Sequence, residues 1–254
     1  MGAFDGKVVW ITGGGTGIGR AGALMFAREG ATVALIGRRR EPLEEVAKEA
    51  KAAGGKIAIE ALDVAERDKV DAAAKRLISQ FGRIDILVNN AGLNVVNRRL
   101  EELQPSDFDH VLAVNLTGAY NMVNAVFPIM KKQQDGLIIN IASTAGRRVS
   151  GVAGTAYSAS KFGMVGLSLS LTHEAWKFGV RACCICPDDV NTPIMARRKV
   201  KYPQEVLDQF IQPEDLADAM RFVALMPKRT SIPEMTVYPT NIRPLTAAET
   251  GMPG

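Results

Sequence analysis

Short apolar runs alternate with longer amphipathic stretches along the chain. The runs, rich in β-branched residues, fall at 8–12, 32–36, 57–62, 84–88, 137–141, 180–186 and 235–238. Most are apolar throughout rather than alternating. That is the pattern of strands covered on both faces, and so of a parallel sheet. Between them the pattern predicts helices over 17–29, 42–53, 65–81, 105 to about 132, 156–178 and 213–226. Pro42 near the start of the second helix and Gly54-Gly55 after it are helix start and stop signals. Strand–helix alternation builds βαβ units with right-handed crossovers. The expectation is an α/β protein: one doubly wound domain over residues 1–254, about seven parallel strands, helices on both faces.

The segment 193–212 breaks the rhythm. It is long and carries "ARRKVKYP". Long connections in compact domains often cover a site, so it reads as a substrate lid. The polar stretch 240–254 reads as a loose tail.

Composition narrows the function classes. Of 254 residues, 47% are hydrophobic and 23% charged, which suits a globular protein with a large core. No run reaches the ~18 apolar residues of a membrane span. The net charge of +4 comes without a basic stripe interleaved with aromatics, so nucleic acid is not an expected partner. The opening "MGAFDGKVVW" lacks the parts of a signal peptide, and a cytoplasmic setting is expected. Cys183, Cys184 and Cys186 lie in one apolar run. Cys183 and Cys186 formally make a C-x-x-C, but buried small residues of a strand are the better reading. His110 and His173 lack partners at ligand spacing, so no metal is expected.

The sharpest local signal follows the first strand: "ITGGGTGIGRAG". Glycines permit a tight turn and close approach of backbone to phosphate, and a helix N-terminus follows. Gly13, Gly17 and Gly19 give G-x-x-x-G-x-G, and Arg20-Ala21 follows rather than the Lys-Ser/Thr of a P-loop. In this strand–turn–helix context the motif predicts a dinucleotide pyrophosphate site at Thr12, Gly13, Gly15, Thr16, Gly17, Ile18 and Gly19. After the second strand, where many dinucleotide folds place a carboxylate for the ribose 2′-OH, the chain reads Gly37-Arg38-Arg39-Arg40. Arg38 and Arg39 suit a 2′-phosphate, which favours NADP over NAD.

"GTAYSASKFG" puts Tyr157 and Lys161 four residues apart, on one helix face. Alone, such a pair is ordinary. Together with "TGGGTGIG" at 12–19, "NNAG" at 89–92 and Ser143 fourteen residues before Tyr157, it resembles the short-chain dehydrogenase/reductase family over about residues 5–192. The resemblance implies a Rossmann-like fold and hydride transfer between NAD(P) and a carbonyl or alcohol. It implies roles by position. Tyr157 would be the acid/base, Lys161 would lower its pKa and hold the nicotinamide ribose, and Ser143 would bind the substrate oxygen. Asn115 in "VLAVNLTG" would anchor a water relay behind the lysine. Asp63 would contact adenine. Asn89 and Asn90 would lie in the segment that supports the central sheet and the adenine-side ribose. Thr192 would bind the carboxamide, and Val64, Ala91, Gly92, Pro187 and Val190 would line the cofactor site. One departure stands out: Asp188 occupies a place where the family has glycine. Asp tolerates a positive φ better than most residues, should that site need one.

By the same resemblance, 93–97, 144–151 and the lid form the substrate pocket. Asn94, Arg147, Arg148 and Met195 are its candidates, with Arg197, Arg198, Lys199 and Lys201 in the lid. So many cations allow an anionic substrate. Relatives pair through the long helices, so a homodimer or homotetramer is expected. A catalytically weak, cofactor-sensing relative is the alternative reading.

Overall fold

The computed structural model describes residues 2–149 and 151–241. The strands are β1 (Val8–Thr12), β2 (Thr32–Gly37), β3 (Lys56–Ala61), β4 (Ile86–Asn89), β5 (Gly136–Ile141), β6 (Val180–Pro187) and β7 (Glu234–Val237). They form one parallel sheet in the order β3-β2-β1-β4-β5-β6-β7. The helices are α1 (Gly17–Arg28), α2 (Arg40–Ala52), α3 (Arg67–Phe81), α4 (Pro105–Leu112), α5 (Gly118–Gln133), α6 (Thr155–Ala175), α7 (Gln204–Leu207) and α8 (Pro213–Leu225).

Alternate residues of the central strands feed two cores. Val9 and Ile11 of β1 pack with Val33, Leu35, Ile139 and Ile185 against α1, α2 and α8. Trp10 packs with Ala34, Ile36, Leu87 and Ile138 against α3, α4 and α5. This two-sided burial is why the strands read as unbroken apolar runs. Each such Leu or Ile contributes roughly 1.5–3 kcal/mol.

Strand order reverses between β1 and β4, the switch point at whose carboxyl edge open α/β sheets bind ligands. The glycine turn after β1 and the "NNAG" segment after β4 both end there.

The structure corrects three boundaries. α2 starts at Arg40, two residues before Pro42, so the last of the three arginines is helical. The predicted long helix from Pro105 is interrupted by a π-helical turn at Ala113–Thr117, which carries Asn115. The expected lid contains a 3-10 turn at Pro193–Arg197 and the short α7. Most of the predicted polar tail, from residue 242 on, lies outside the described residues.

Candidate active site

The glycine turn is built from three separate constraints. Gly13 and Gly17 have φ of +65° and +53°, which side chains rarely adopt. At Gly19 an added Cβ would stand 2.3 Å from the Gly13 carbonyl oxygen. Thr12 is the hub behind the turn: its Oγ1 accepts from the backbone N–H of Asn90 at 3.0 Å and of Ala91 at 2.9 Å. The Asn90 amide donates to Thr12 O at 2.9 Å. The ends of β1 and β4 are thereby locked together. The first turn of α1 holds no acidic residue, so its free N–H groups and positive end suit an anion. Cramped glycines at a helix start fit the pyrophosphate of a dinucleotide.

A cavity of about 940 Å³ opens over this turn. Gly13, Thr16, Gly17, Ile18, Arg38, Arg39, Asn90 and Gly92 line it together with Ser143, Tyr157, Lys161, Pro187, Val190 and Thr192. A smaller cleft of about 160 Å³ adjoins it, lined by Gly15, Arg38, Asp63, Val64 and Ala91 among others. Thr12, Gly19 and Asn115 stand behind these walls rather than in them. In that cleft Asp63 lies 3.7 Å from Arg38, and its Oδ1 accepts from Ala65 N–H at 2.9 Å.

Ser143, Tyr157 and Lys161 meet at the inner end. α6 begins at Thr155 after Gly154, whose φ of +79° turns the chain into the helix. Tyr157 is half-buried, and Lys161 is 3% exposed. The Lys161 ammonium lies 5.5 Å from the Tyr157 ring centroid and donates to Ile141 O at 2.7 Å. Burial lowers its pKa from 10.5 to about 8. For Tyr157, burial raises the pKa; the Ser143 hydrogen bond and the charges of Arg198 and Arg98 oppose that. Asn115 is fully buried. Its Oδ1 accepts from Leu93 N–H at 2.8 Å, and its amide donates to Leu93 O at 2.9 Å and Ser160 Oγ at 3.0 Å. The wider π-helical turn projects this side chain toward the start of the Leu93 loop and α6.

After β6 the chain turns without left-handed backbone. Among the described residues Gln134 is the non-glycine residue with positive φ, so Asp188 carries no glycine-like strain. Its Oδ1 instead accepts from Thr144 Oγ1 at 2.8 Å. Thr192 leans over the glycine turn: a Cβ added at Gly17 would meet its Cγ2 at 3.1 Å.

The substrate-side candidates divide. Asn94, Arg148 and Met195 line the cavity. The Asn94 amide is engaged, donating to Ala153 O at 2.9 Å. Arg148 lies 3.7 Å from Asp188 and over the Tyr238 ring. Arg147 does not reach the cavity; it pairs with Glu234 of β7 at 3.0 Å. Arg197 and Arg198 of the lid do line it. Sequence reasoning missed Arg98. It also lines the cavity, from the "NRRL" segment that pattern alone leaves featureless.

The cysteines are core residues. Strand alternation sends Cys183 to the α1 side and Cys184 and Cys186 to the α6 side. Cys183 and Cys186 thus cannot face one another as a C-x-x-C pair. Burial pushes the Cys183 thiol up to about 12.

The sequence matches the family model described as short chain dehydrogenase over residues 7–202. The chain belongs to the short-chain dehydrogenase family. It is an oxidoreductase of that family. It is 35% identical over 227 residues to the 3-oxoacyl-[acyl-carrier-protein] reductase FabG of Thermotoga maritima, covering 87% of this chain and 91% of that protein. Among solved structures, it resembles a metagenomic short-chain oxidoreductase in complex with NADP, with TM-score 0.82, 33% identity, and coverage of 94% of this chain and 99% of that one. An alcohol dehydrogenase from the archaeon Thermococcus sibiricus, complexed with 5-hydroxy-NADP, aligns with TM-score 0.84, 30% identity and the same coverage.

Proposed function

We propose that this short-chain dehydrogenase is an NADP(H)-preferring oxidoreductase that interconverts a carbonyl and an alcohol, with Tyr157 as its acid/base. The observation that carries the reading is one cavity lined both by Ser143, Tyr157 and Lys161 and by Arg38 and Arg39. The nicotinamide cofactor supplies or accepts the hydride. The protein supplies position and the proton.

Each residue then has a task. Gly13, Gly17 and α1 hold the pyrophosphate. Arg38 and Arg39 face the 2′-phosphate, and Asp63 and Val64 the adenine. Ser143 Oγ and the Tyr157 hydroxyl share the substrate oxygen. The Tyr157 phenol, already protonated at neutral pH and pushed higher by burial, is ready to donate in carbonyl reduction. Lys161 spends one N–H on Ile141 O, leaving two for the ribose hydroxyls and the proton path. Asn115 fixes the loop and helix that frame Lys161. The lid over 193–212 closes the substrate side, and its cations favour an anionic substrate.

Exposed Tyr120 on α5 and Phe162 on α6 support self-association through these helices. Three free cysteines fit a reducing, cytoplasmic setting.

The test is a spectrophotometric screen of aldehydes, ketones and alcohols with NADPH and NADH. Turnover that disappears in Tyr157→Phe while NADPH binding persists is expected. Cofactor binding with no turnover on any substrate would leave a cofactor-sensing protein instead.

A further inference from the structure

Arg98 is anchored under the start of α6. Its carbonyl accepts from Thr155 N–H at 3.3 Å, and its Cβ lies 2.6 Å from where a Gly154 Cβ would stand. Its guanidinium donates from Nε to Val95 O at 3.0 Å, from Nη1 to Val152 O at 3.1 Å and from Nη2 to Arg197 O at 2.9 Å. A guanidinium has five N–H donors. Three are used, and one remains on each terminal nitrogen.

All three partners are neutral carbonyls. The two carboxylates that line the cavity, Asp188 and Asp189, are engaged elsewhere. Asp189 holds Arg198 in a close two-point pair, and Asp188 takes Thr144 and Arg148. Arg98 is therefore a half-buried cation whose charge is not neutralised by any described residue, with the Arg198 charge repelling it. Removing a cation from water without a counter-charge is unfavourable, and an anion entering the cavity offsets that cost.

We propose that Arg98 is the anion subsite of the substrate pocket. Its two spare N–H groups take a carboxylate carried close to the carbonyl or alcohol that Tyr157 serves, so the substrate is a short oxo or hydroxy acid. This rests on the oxidoreductase reading above. Arg98 and Tyr157 line the same cavity, and Arg98 O holds Thr155 N–H, two residues before Tyr157, so an acid group on Arg98 lies on the side of the pocket that Tyr157 serves. Arg147 is spent on Glu234, and Arg148 sits at the exposed rim.

Two measurements test the assignment. The first compares acetoacetate with ethyl acetoacetate, and pyruvate with methyl pyruvate, as NADPH-dependent substrates. Wild type should prefer the acids. Arg98→Gln should lose about ten- to a hundredfold of that acid-over-ester preference, mainly through KM for the acids, with Arg98→Lys intermediate. The second needs no turnover: calorimetric binding of malonate, against neutral malonamide, with NADP present. Malonate should bind the wild type more tightly and lose that advantage in Arg98→Gln. If Arg98→Gln does not fold, Val152→Glu places a competing carboxylate beside an intact Arg98 and should weaken malonate alike. Equal binding of malonate and malonamide, or a malonate affinity unchanged in Arg98→Gln and Val152→Glu, overturns the subsite. Failure of all carbonyls with malonate binding intact would overturn the proposed carbonyl/alcohol activity and leave the subsite standing.

Discussion

Thr144 Oγ1 donates to Asp188 Oδ1 at 2.8 Å, tying the turn after β5 to the turn after β6. That contact explains an acidic residue where the family has glycine. It replaces backbone freedom with a side-chain tether, since Asp188 does not sit at positive φ.

Asp188→Ala should therefore destabilise the protein by about 1 kcal/mol through loss of one part-buried hydrogen bond. Asp188→Gly should be no more stable than Asp188→Ala, because glycine adds unfolded-state entropy. Urea denaturation measures both. A glycine variant more stable than the alanine variant would mean that the turn needs left-handed backbone.

Lys161 makes stability depend on pH. Its folded pKa, about 8, is below its unfolded value of 10.5, because burial disfavours the ammonium. Between these values the unfolded chain binds more protons than the folded one, so this residue's contribution improves as pH rises through the window. Below pH 8 the full burial penalty stands. Lys161→Met lacks the group. Relative to that variant, the wild type should gain on the order of 2–3 kcal/mol from pH 7 to pH 10.5. Denaturant midpoints at pH 7, 8.5 and 10 give the comparison, and parallel curves would refute it.

The central strands were legible because burial on both faces writes a mostly apolar run, as in "VVWIT" of β1 and "GLIINI" of β5; the edge strands β3 and β7 are only partly buried and their signal is weaker. The glycine turn and Tyr157–Lys161 were legible because their chemistry demands residue types at fixed local spacing. The π-helical turn was not. Nothing in "AVNLT" separates a wider turn from an ordinary one; the need for it comes from Leu93 and Ser160, far away in sequence. The destinations of the arginines were hidden for the same reason. Arg147 and Arg148 are neighbours, yet one goes to Glu234 on β7 and the other to the cavity rim. Arg98 owes its place to carbonyls of three separate segments, and no local pattern records that.

Tyr157 should ionise above the ordinary tyrosine value in the free protein, because burial outweighs the Ser143 hydrogen bond and the two arginines. Ultraviolet titration of wild type against Tyr157→Phe isolates this phenol. Ser143→Ala removes a donor to the phenolate and should move the titration higher still. A Tyr157 that ionises below pH 10 without cofactor would contradict the dominance of burial. Once a substrate is found, Tyr157→Phe should lower kcat by about a hundredfold or more, the scale of a lost general acid.

On the proposed reading, Arg38 is the residue that favours NADP over NAD. It is exposed beyond β2 and lines the cavity, and Asp63 lies at a loose 3.7 Å from it. An exposed pair at that distance contributes little, so the guanidinium can turn to a phosphate at small cost. A bidentate arginine–phosphate contact, in contrast, is among the stronger polar interactions, roughly 1.5–3 kcal/mol. Arg38→Ala should thus reduce kcat/KM for NADPH by about ten- to a hundredfold and leave NADH nearly unchanged. Arg39→Ala, at the N-cap position of α2, should show the same sign with a smaller effect if the two share the phosphate. The measurement is steady-state kinetics with both cofactors on one substrate. Equal losses for NADPH and NADH in Arg38→Ala would assign this arginine to the fold rather than to the 2′-phosphate.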